Sequence, residues 1–440
     1  MSEVLIVGAG IGGLSAAIAL GTSGEVKHRV SVVEKSSVLS DVGAGIQLGP
    51  NSTTILIRWG LGQELSECAF EPEKLQVMSA LSGVELGSMN LGSSFRKKYG
   101  APYFTLHRAD LHKMLYSRVL KQGSAVIELN KELNHFKQIQ QGVEVEFVSG
   151  SKNHQTVFTN EQNRKSFDVL IGADGVWSRV RSILNDMSIK NLAYSESKQD
   201  LFKPAEFCGD LAYRSLVSQK TLPKKLRFNS VRVWLGPKMH LVQYPIRGGE
   251  WLNSVLFIDT RKLKNNSQYL CYSQPNSNLL SWDIKLDQTQ LGLFFQETIN
   301  QCCPEIMDTI SALGQWQAWP IMAKAPLRSE LQMVAGRVAL LGDAAHPMLP
   351  YLAQGAGMSI EDADSLGRQF SSLSEQDSRT ILSAYAQLRW RRNAWVQQRA
   401  LLNQKVFHAE GLLAVARNSS LRLFGDKLLS MPWLYGHKNM

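Results

Sequence analysis

The chain has 440 residues, 44% of them apolar and 20% charged, with a formal charge of +10 and a pI near 9.3. Such a length predicts two or three packed units rather than one core, and the composition excludes a disordered chain. The positive excess favours anions, whether nucleic acid, an anionic membrane face or small acidic substrates, and fits a solubilising surface with no partner equally well.

In chain order, Val4-Leu5-Ile6-Val7 is a continuous apolar run of the kind expected in a buried parallel strand. The stretch VLIVGAGIGGLSAAIAL imitates a signal peptide, yet Glu3 is the only charge before it and no small-residue cleavage site follows. Its four glycines also make a weak membrane helix, and no other segment approaches spanning length, so no transmembrane segment is expected. Gly8, Gly10 and Gly13 form G-x-G-x-x-G, with Gly12 inside the turn, ahead of an Ala-rich helix. Gly8 makes the turn, Gly10 lets backbone approach a pyrophosphate, and Gly13 lets helix and strand pack closely. A second strand, 29–33, ends at Glu34, 21 residues after Gly13, with Lys35 beside it. A carboxylate there accepts the ribose hydroxyls of an adenosine, so the site suits NAD or FAD without deciding between them.

Residues 167–175 (FDVLIGADG) are another strand running into a turn, where Asp174 has the composition of an N-cap for the helix that follows. Residues 148–166 read as a polar hairpin or loop, and strand-like alternation marks 231–235 and 254–258. Near the end, an apolar strand at 338–341 runs into GDAAHPMLPYLAQGAG and then a helix near Met358. Glycines and prolines with bare N–H groups at a helix start hold an anion or a polar cofactor edge. The five cysteines fit neither a zinc spacing nor a disulfide framework, which suggests a reducing cytosol. There is no HExxH, and His107 and His112, five apart, do not share a helix face, so no metal is expected.

These motifs occur together with GAGIQLGPN at 43–51, HRADL at 107–111 and WLYG at 433–436. In that combination the chain resembles the single-component flavoprotein aromatic hydroxylases, the group containing salicylate hydroxylase and 3-hydroxybenzoate 6-hydroxylase. The resemblance covers nearly the whole chain and is specific for cofactor and reaction, not for substrate. It implies an α/β fold: a Rossmann-like FAD-binding domain, an inserted substrate-domain β-sheet and a C-terminal helical segment. The expected division is 1–72, 102–185 and 275–380 for the FAD-binding domain, 73–101 and 186–274 for the substrate sheet, and 381–440 for the C-terminal helices.

The resemblance further implies that Asp343 bonds a ribityl hydroxyl and that Arg108 contacts the phosphate and ribityl region. It places the backbone of Gly355, Ala356 and Gly357 against the N1–C2=O edge of the flavin, where a helix N-terminus stabilises the negative charge of the reduced ring. The implied reaction consumes NADH or NADPH and O2, and hydroxylates a small anionic phenolic or hydroxybenzoate-like acid through a flavin C4a-hydroperoxide. Quinone-precursor or polyketide-like aromatics are the alternative substrates, and a redox-inactive escort protein on the same fold is the alternative outside catalysis. Ring-binding candidates are Gln47, Tyr213, Arg214, Pro350 and Tyr351, with Gln243 and Tyr244 in HLVQYPI; Tyr213 is the phenol-activating candidate and Arg214 the carboxylate partner. Strand alternation forbids both Tyr213 and Arg214 from facing inward. His346 is equally a base or a structural hydrogen-bonder, and His240 is the one histidine in 186–274.

Two further stretches are weighed as decoys. The Trp316–Ile321 run has some likeness to a flavin-halogenase motif, but at the wrong spacing, and is read as strand packing. Arg389–Arg399 mixes basic and aromatic residues; Leu388, Trp395 and Leu402 share a broad face, which predicts a basic helix docked by that face rather than a nucleic-acid site. The expected protein is cytoplasmic, a monomer or homodimer.

Overall fold

In the computed structural model the chain is described over residues 2–22, 28–39, 45–149, 164–190, 201–262, 284–286, 299–372 and 376–436. Most of the polar 148–166 stretch lies outside these residues, as do Gly43 and Ala44 of the GAGIQLGPN loop. The α/β architecture is the one expected. A six-stranded sheet runs in the order Val334–Ala335, Val338–Leu340, Val169–Gly172, Glu3–Val7, Arg29–Val33, Ala125–Glu128. All its pairings are parallel except the one between the first two strands. Val4, Leu5 and Ile6 are fully buried, as a strand covered on both faces requires.

The helices Ile11–Gly21 and Gly355–Ser372 pack against each other, so the first motif and the last loop of the nucleotide fold share one wall. Their contact is set by Gly367, where a Cβ would lie 2.7 Å from the Ala19 carbonyl oxygen.

An eight-stranded, mostly antiparallel sheet forms the second layer, in the order Ile284–Leu286, Trp316–Ala323, Glu206–Ser218, Trp251–Asp259, Met239–Ile246, Val231–Gly236, Lys74–Ser79, Glu85–Asn90. The parallel pairing of Val231–Gly236 with Lys74–Ser79 joins the two inserted segments into one sheet. The expected division needs correction at two strands of 275–380, a range assigned by sequence to the nucleotide-binding unit: Trp316–Ala323 pairs with Glu206–Ser218 in this sheet, and Ile284–Leu286 pairs with Trp316–Ala323 at its edge. The partner strand Glu206–Ser218 lies about 100 residues earlier in the chain, beyond the reach of any local pattern. One face of the sheet is closed by the helix Pro304–Leu313, whose Ile306 and Leu313 pack on Trp234 and Leu256. The other face looks toward the nucleotide-binding unit.

The helix Ser378–Phe407 departs from its expected orientation. Leu388, Trp395 and Leu402 are 51, 59 and 46% exposed, while Arg389, Asn393 and Gln397 lie on the buried face. The arginine points inward because two buried carboxylates meet it, a requirement that outweighs an apolar stripe. Among the described residues no helix is long and apolar enough to cross a membrane.

The Gly367 crossing generates a stability prediction. Gly367→Ala adds a methyl group against backbone and should destabilise the fold by about 1–3 kcal/mol. A denaturant midpoint equal to that of the wild type would show that the two helices can part without cost.

Candidate active site

The glycine turn is shaped by three different constraints. Gly8 has φ +102, and a Cβ there would sit 2.6 Å from the Ala173 carbonyl oxygen; at Gly13 it would sit 1.9 Å from the oxygen of Gly8. Gly10 is the opposite case, with nothing within 4 Å of its Cβ position. Its open side is the free space a diphosphate needs to reach bare backbone. Gly12 is restricted by Leu341, 2.8 Å from its Cβ position, at the strand end that leads into Gly342-Asp343.

Glu34 lies at the end of its strand, half-buried, and its carboxylate accepts from the Ala9 N–H at 2.9 Å and the Ser36 N–H at 3.0 Å. It therefore stands beside the glycine turn, where the ribose role requires it. Lys35 is exposed next to it. Asp174 does cap the following helix, accepting from the N–H groups of Arg179 at 2.7 Å and Val180 at 3.1 Å. Burial pushes its carboxyl upward, and its other oxygen, Oδ1, is buried without a partner among the described residues.

Asp343 opens on to a cavity of about 340 Å³ together with Gly355 and Ala356. Burial raises its carboxyl, and the charges of His346, Arg108 and Arg181 pull it back, which places Arg108 within electrostatic reach of the Gly-Asp loop. Arg181, which the sequence reading passed over, donates to the backbone oxygens of Asp343 at 3.2 Å and Ala344 at 2.8 Å. Buried beneath the same loop, His346 Nε2 bonds Asp362 Oδ2 at 2.5 Å, so His346 has the structural role.

At the start of the helix Gly355–Ser372, the first intrahelical bond joins Met358 N–H to the Gln354 carbonyl at 2.8 Å. The N–H groups of Gly355, Ala356 and Gly357 precede it, and the helix dipole adds positive potential there. Gly357 itself is buried; its Cβ position is 2.9 Å from Gln354 Oε1. An open glycine turn, a carboxylate at the second strand, an acid in the cavity and a helix start over its floor form a trough that fits FAD along its length.

The sheet supplies the opposite wall of the cavity through Val242, Tyr244, Val255, Phe257 and Trp319. Gln47 also lines it, accepting from the Tyr103 hydroxyl at 2.7 Å and donating to the Tyr244 phenol oxygen. Burial holds the phenol of Tyr244 above its ordinary value, against the pull of Arg214 and Gln47. Arg214 faces this side, donating to Gln317 Oε1 at 2.8 Å with its guanidinium 5.3 Å from the Trp319 ring.

Tyr213 is the main correction among the candidates. It pairs with Leu256 on the far face and is fully buried with Trp234, Leu241 and Trp316 under the helix Pro304–Leu313. Gln243 shares that face, bonded by Trp234 Nε1 at 2.9 Å. Alternation along a strand resolves both ambiguities: Arg214 and Tyr244 face the cavity, Tyr213 and Gln243 do not.

Pro350 lines the first cavity and a second, of about 430 Å³, that continues beneath the C-terminal helices; Tyr351 lines only the second. The Tyr351 hydroxyl donates to Asp210 Oδ2, which also accepts from Gln404 at 2.7 Å. Burial pushes the Asp210 carboxyl up to about 6. Asp210, Asp259 and His408 approach one another closely enough to suggest a metal site, but the guanidinium of Arg261 already supplies the cation, 2.8 Å from Asp259 Oδ1.

Residues 1–197 and 276–400 match the FAD binding domain family. Over the whole chain and 98% of its own length, 3-hydroxybenzoate 6-hydroxylase 1 of Aquipseudomonas alcaligenes is 32% identical to it. The chain belongs to the single-component FAD-dependent aromatic hydroxylases. It is therefore an FAD-binding oxidoreductase, and the escort alternative falls. The 3-hydroxybenzoate 6-hydroxylase of Polaromonas naphthalenivorans is 31% identical over 98% of this chain and 95% of its own. A salicylate hydroxylase substrate complex shares the fold with a TM-score of 0.75 at 21% identity, covering 99% of this chain and 96% of that one. In this flavoenzyme the glycine turn, Glu34, Asp343 and the helix start at Gly355 are the groups that would hold FAD.

Glu34→Ala removes the carboxylate beside the turn and should lower FAD retention, read by fluorescence titration of the apoprotein. An unchanged dissociation constant would take Glu34 out of the ribose role.

Proposed function

We propose that the protein uses NADH or NADPH and O2 to hydroxylate a small phenolic, hydroxybenzoate-like acid. The observation that carries this reading is the cavity between the flavin loops and the inner face of the sheet, with Asp343 on the loop side and a mainly apolar sheet side, where Gln47, Tyr244 and the neighbouring Arg214 supply polar groups. Such a pocket orients a flat ring with few directional contacts. When bound, FAD supplies the redox chemistry, accepting reducing equivalents from the nicotinamide and activating oxygen.

The protein groups do the rest. Val242, Val255, Phe257 and Trp319 cover one side of the ring and keep water from the reacting atoms. Gln47, fixed by Tyr103 and Tyr244, offers a hydrogen bond to the substrate's phenol and orients it. The three N–H groups at the start of the helix Gly355–Ser372 stabilise negative charge that develops at the adjoining edge of the site. The relatives named as 3-hydroxybenzoate 6-hydroxylases support this substrate class, as does the positive charge of the chain.

Two outcomes are expected. A panel of small phenolic acids should stimulate NAD(P)H-dependent oxygen uptake by the FAD-loaded enzyme, with a product heavier by one oxygen atom. Uptake that no phenolic acid stimulates would remove the substrate class. Tyr213→Phe should leave the rate and the coupling of NAD(P)H use to product at wild-type values, because Tyr213 is on the far face. A selective loss of hydroxylation in that variant would reinstate it as the phenol-activating group.

A further inference from the structure

The cavity beneath the C-terminal helices adjoins the ring site, and Gln47, Val242, Pro350 and Ala353 line both. Its walls are mainly apolar, including Leu75, Val77, Phe407 and Leu421, and among the described residues no carboxylate lines it. Arg399 and Arg417 do. Arg417 is compensated only in part: its Nη1 donates at 2.9 Å to the carbonyls of Val406 and Phe407, at the C-terminal end of a helix, where a cation is favoured, yet burial still lowers its guanidinium to about 10. His240, also on the wall, is held neutral by burial and by His408, whose Nε2 is 2.8 Å from His240 Nδ1.

Arg399 has no such compensation. It is partly buried, and it makes no hydrogen bond or ion pair with any described residue; its Nε is buried and unpartnered. It projects from the same helix face as Asn403 and Val406, four and seven residues on, both of which line the cavity. Asn403 is committed elsewhere, donating to the Tyr351 carbonyl at 2.9 Å. With its Nε buried and unpartnered and the side chain lining the cavity, the Arg399 guanidinium is placed to pair with an anion arriving from solution. Arg214, the carboxylate partner suggested by sequence, is already bonded to Gln317 and set against Trp319.

We propose that Arg399 is the receptor for the substrate's acidic group: the carboxylate enters the cavity beneath the C-terminal helices while the ring to be hydroxylated stays beside Pro350 and Gln47. This rests on the aromatic-acid reading above and assigns its charge recognition. The guanidinium fork matches a carboxylate with two parallel N–H···O bonds, and the apolar walls strengthen that pairing by excluding water.

The test compares 3-hydroxybenzoate, 4-hydroxyphenylacetate and 3-(4-hydroxyphenyl)propionate with their neutral primary amides. Binding to FAD-loaded enzyme is read from the perturbation of the flavin spectrum, and KM from NAD(P)H oxidation. The wild type should bind at least one acid about tenfold or more tighter than its amide, the scale of a charge-assisted pair. Arg399→Gln should bring acid and amide to the same affinity, leaving FAD content and amide binding unchanged. Arg399→Lys keeps the charge without the fork and should restore part of the preference; it also serves if the Gln variant does not fold. A preference for acids that survives in Arg399→Gln, or that is lost instead in Arg214→Gln, overturns the proposal while leaving the aromatic-acid reading intact. Wild-type enzyme that responds to none of these acids takes down that reading and this one together.

Discussion

The organisation of the site depends on one buried ion cluster. Arg389, 5% exposed, donates to Asp362 at 2.7 Å and to Glu361 at 2.9 Å, and neither acid is more than 3% exposed. Burial alone would push both carboxyls up. The guanidiniums of Arg389 and Arg392 instead hold Glu361 below the usual range, and His346 with Arg389 does the same for Asp362. Each member also fixes something else. Asp362 accepts the Gly342 N–H at 3.1 Å and His346, which sets the Gly-Asp loop; Glu361 accepts from Asn51 at 2.8 Å, which sets the helix after the Gly49-Pro50 turn. Arg392 reaches the carbonyls of Trp433 and Leu434 at 3.1 and 3.0 Å. Four separated stretches of chain are thus registered on one helix, whose first turn lies over the cavity. A cluster of this kind is weak evidence for net stability, but removing one partner strands a buried charge.

That arrangement explains what the sequence could and could not tell. The glycine turn, Glu34 and the loop from Gly342 to Gly357 were legible because backbone approach and φ restrict residue type directly, and few sequences satisfy them by chance. The long C-terminal helix was misread because its inward face is polar. Periodicity reports where apolar residues repeat, and here Leu388, Trp395 and Leu402 repeat on the outside while Arg389 and Asn393 are buried. The signal for the inward face was the Glu361-Asp362 pair in the neighbouring helix, two adjacent acids in a segment otherwise destined for the core. Reading it required knowing which helices touch.

The sheet teaches a related lesson. Alternation along 231–235 and 254–258 is visible in the sequence, and so is the incompatibility of Tyr213 with Arg214, but not which of them faces the cavity. Phase is set by which face meets the nucleotide-binding unit and which is taken by Pro304–Leu313, a packing choice made far along the chain. The same gap misplaced Trp316–Ala323. Its Trp319, set aside as a decoy, lines the cavity because the strand joins the sheet beside Glu206–Ser218.

The charge of the chain takes on a different meaning once the arginines are placed. Arg389 and Arg392 are consumed by buried acids, Arg181 by the backbone of the Gly-Asp loop and Arg417 by the end of a helix. These cations hold the protein to itself, and a formal excess of +10 says nothing about which of them remains to meet a ligand. What distinguishes a recognition group is a residual imbalance: a cation that lines a cavity and has no counter-charge among the described residues. Such an imbalance is what a ligand of opposite charge would complete. The specificity of this site would then come less from the ring, which the apolar sheet face accepts broadly, than from where the substrate carries its charge.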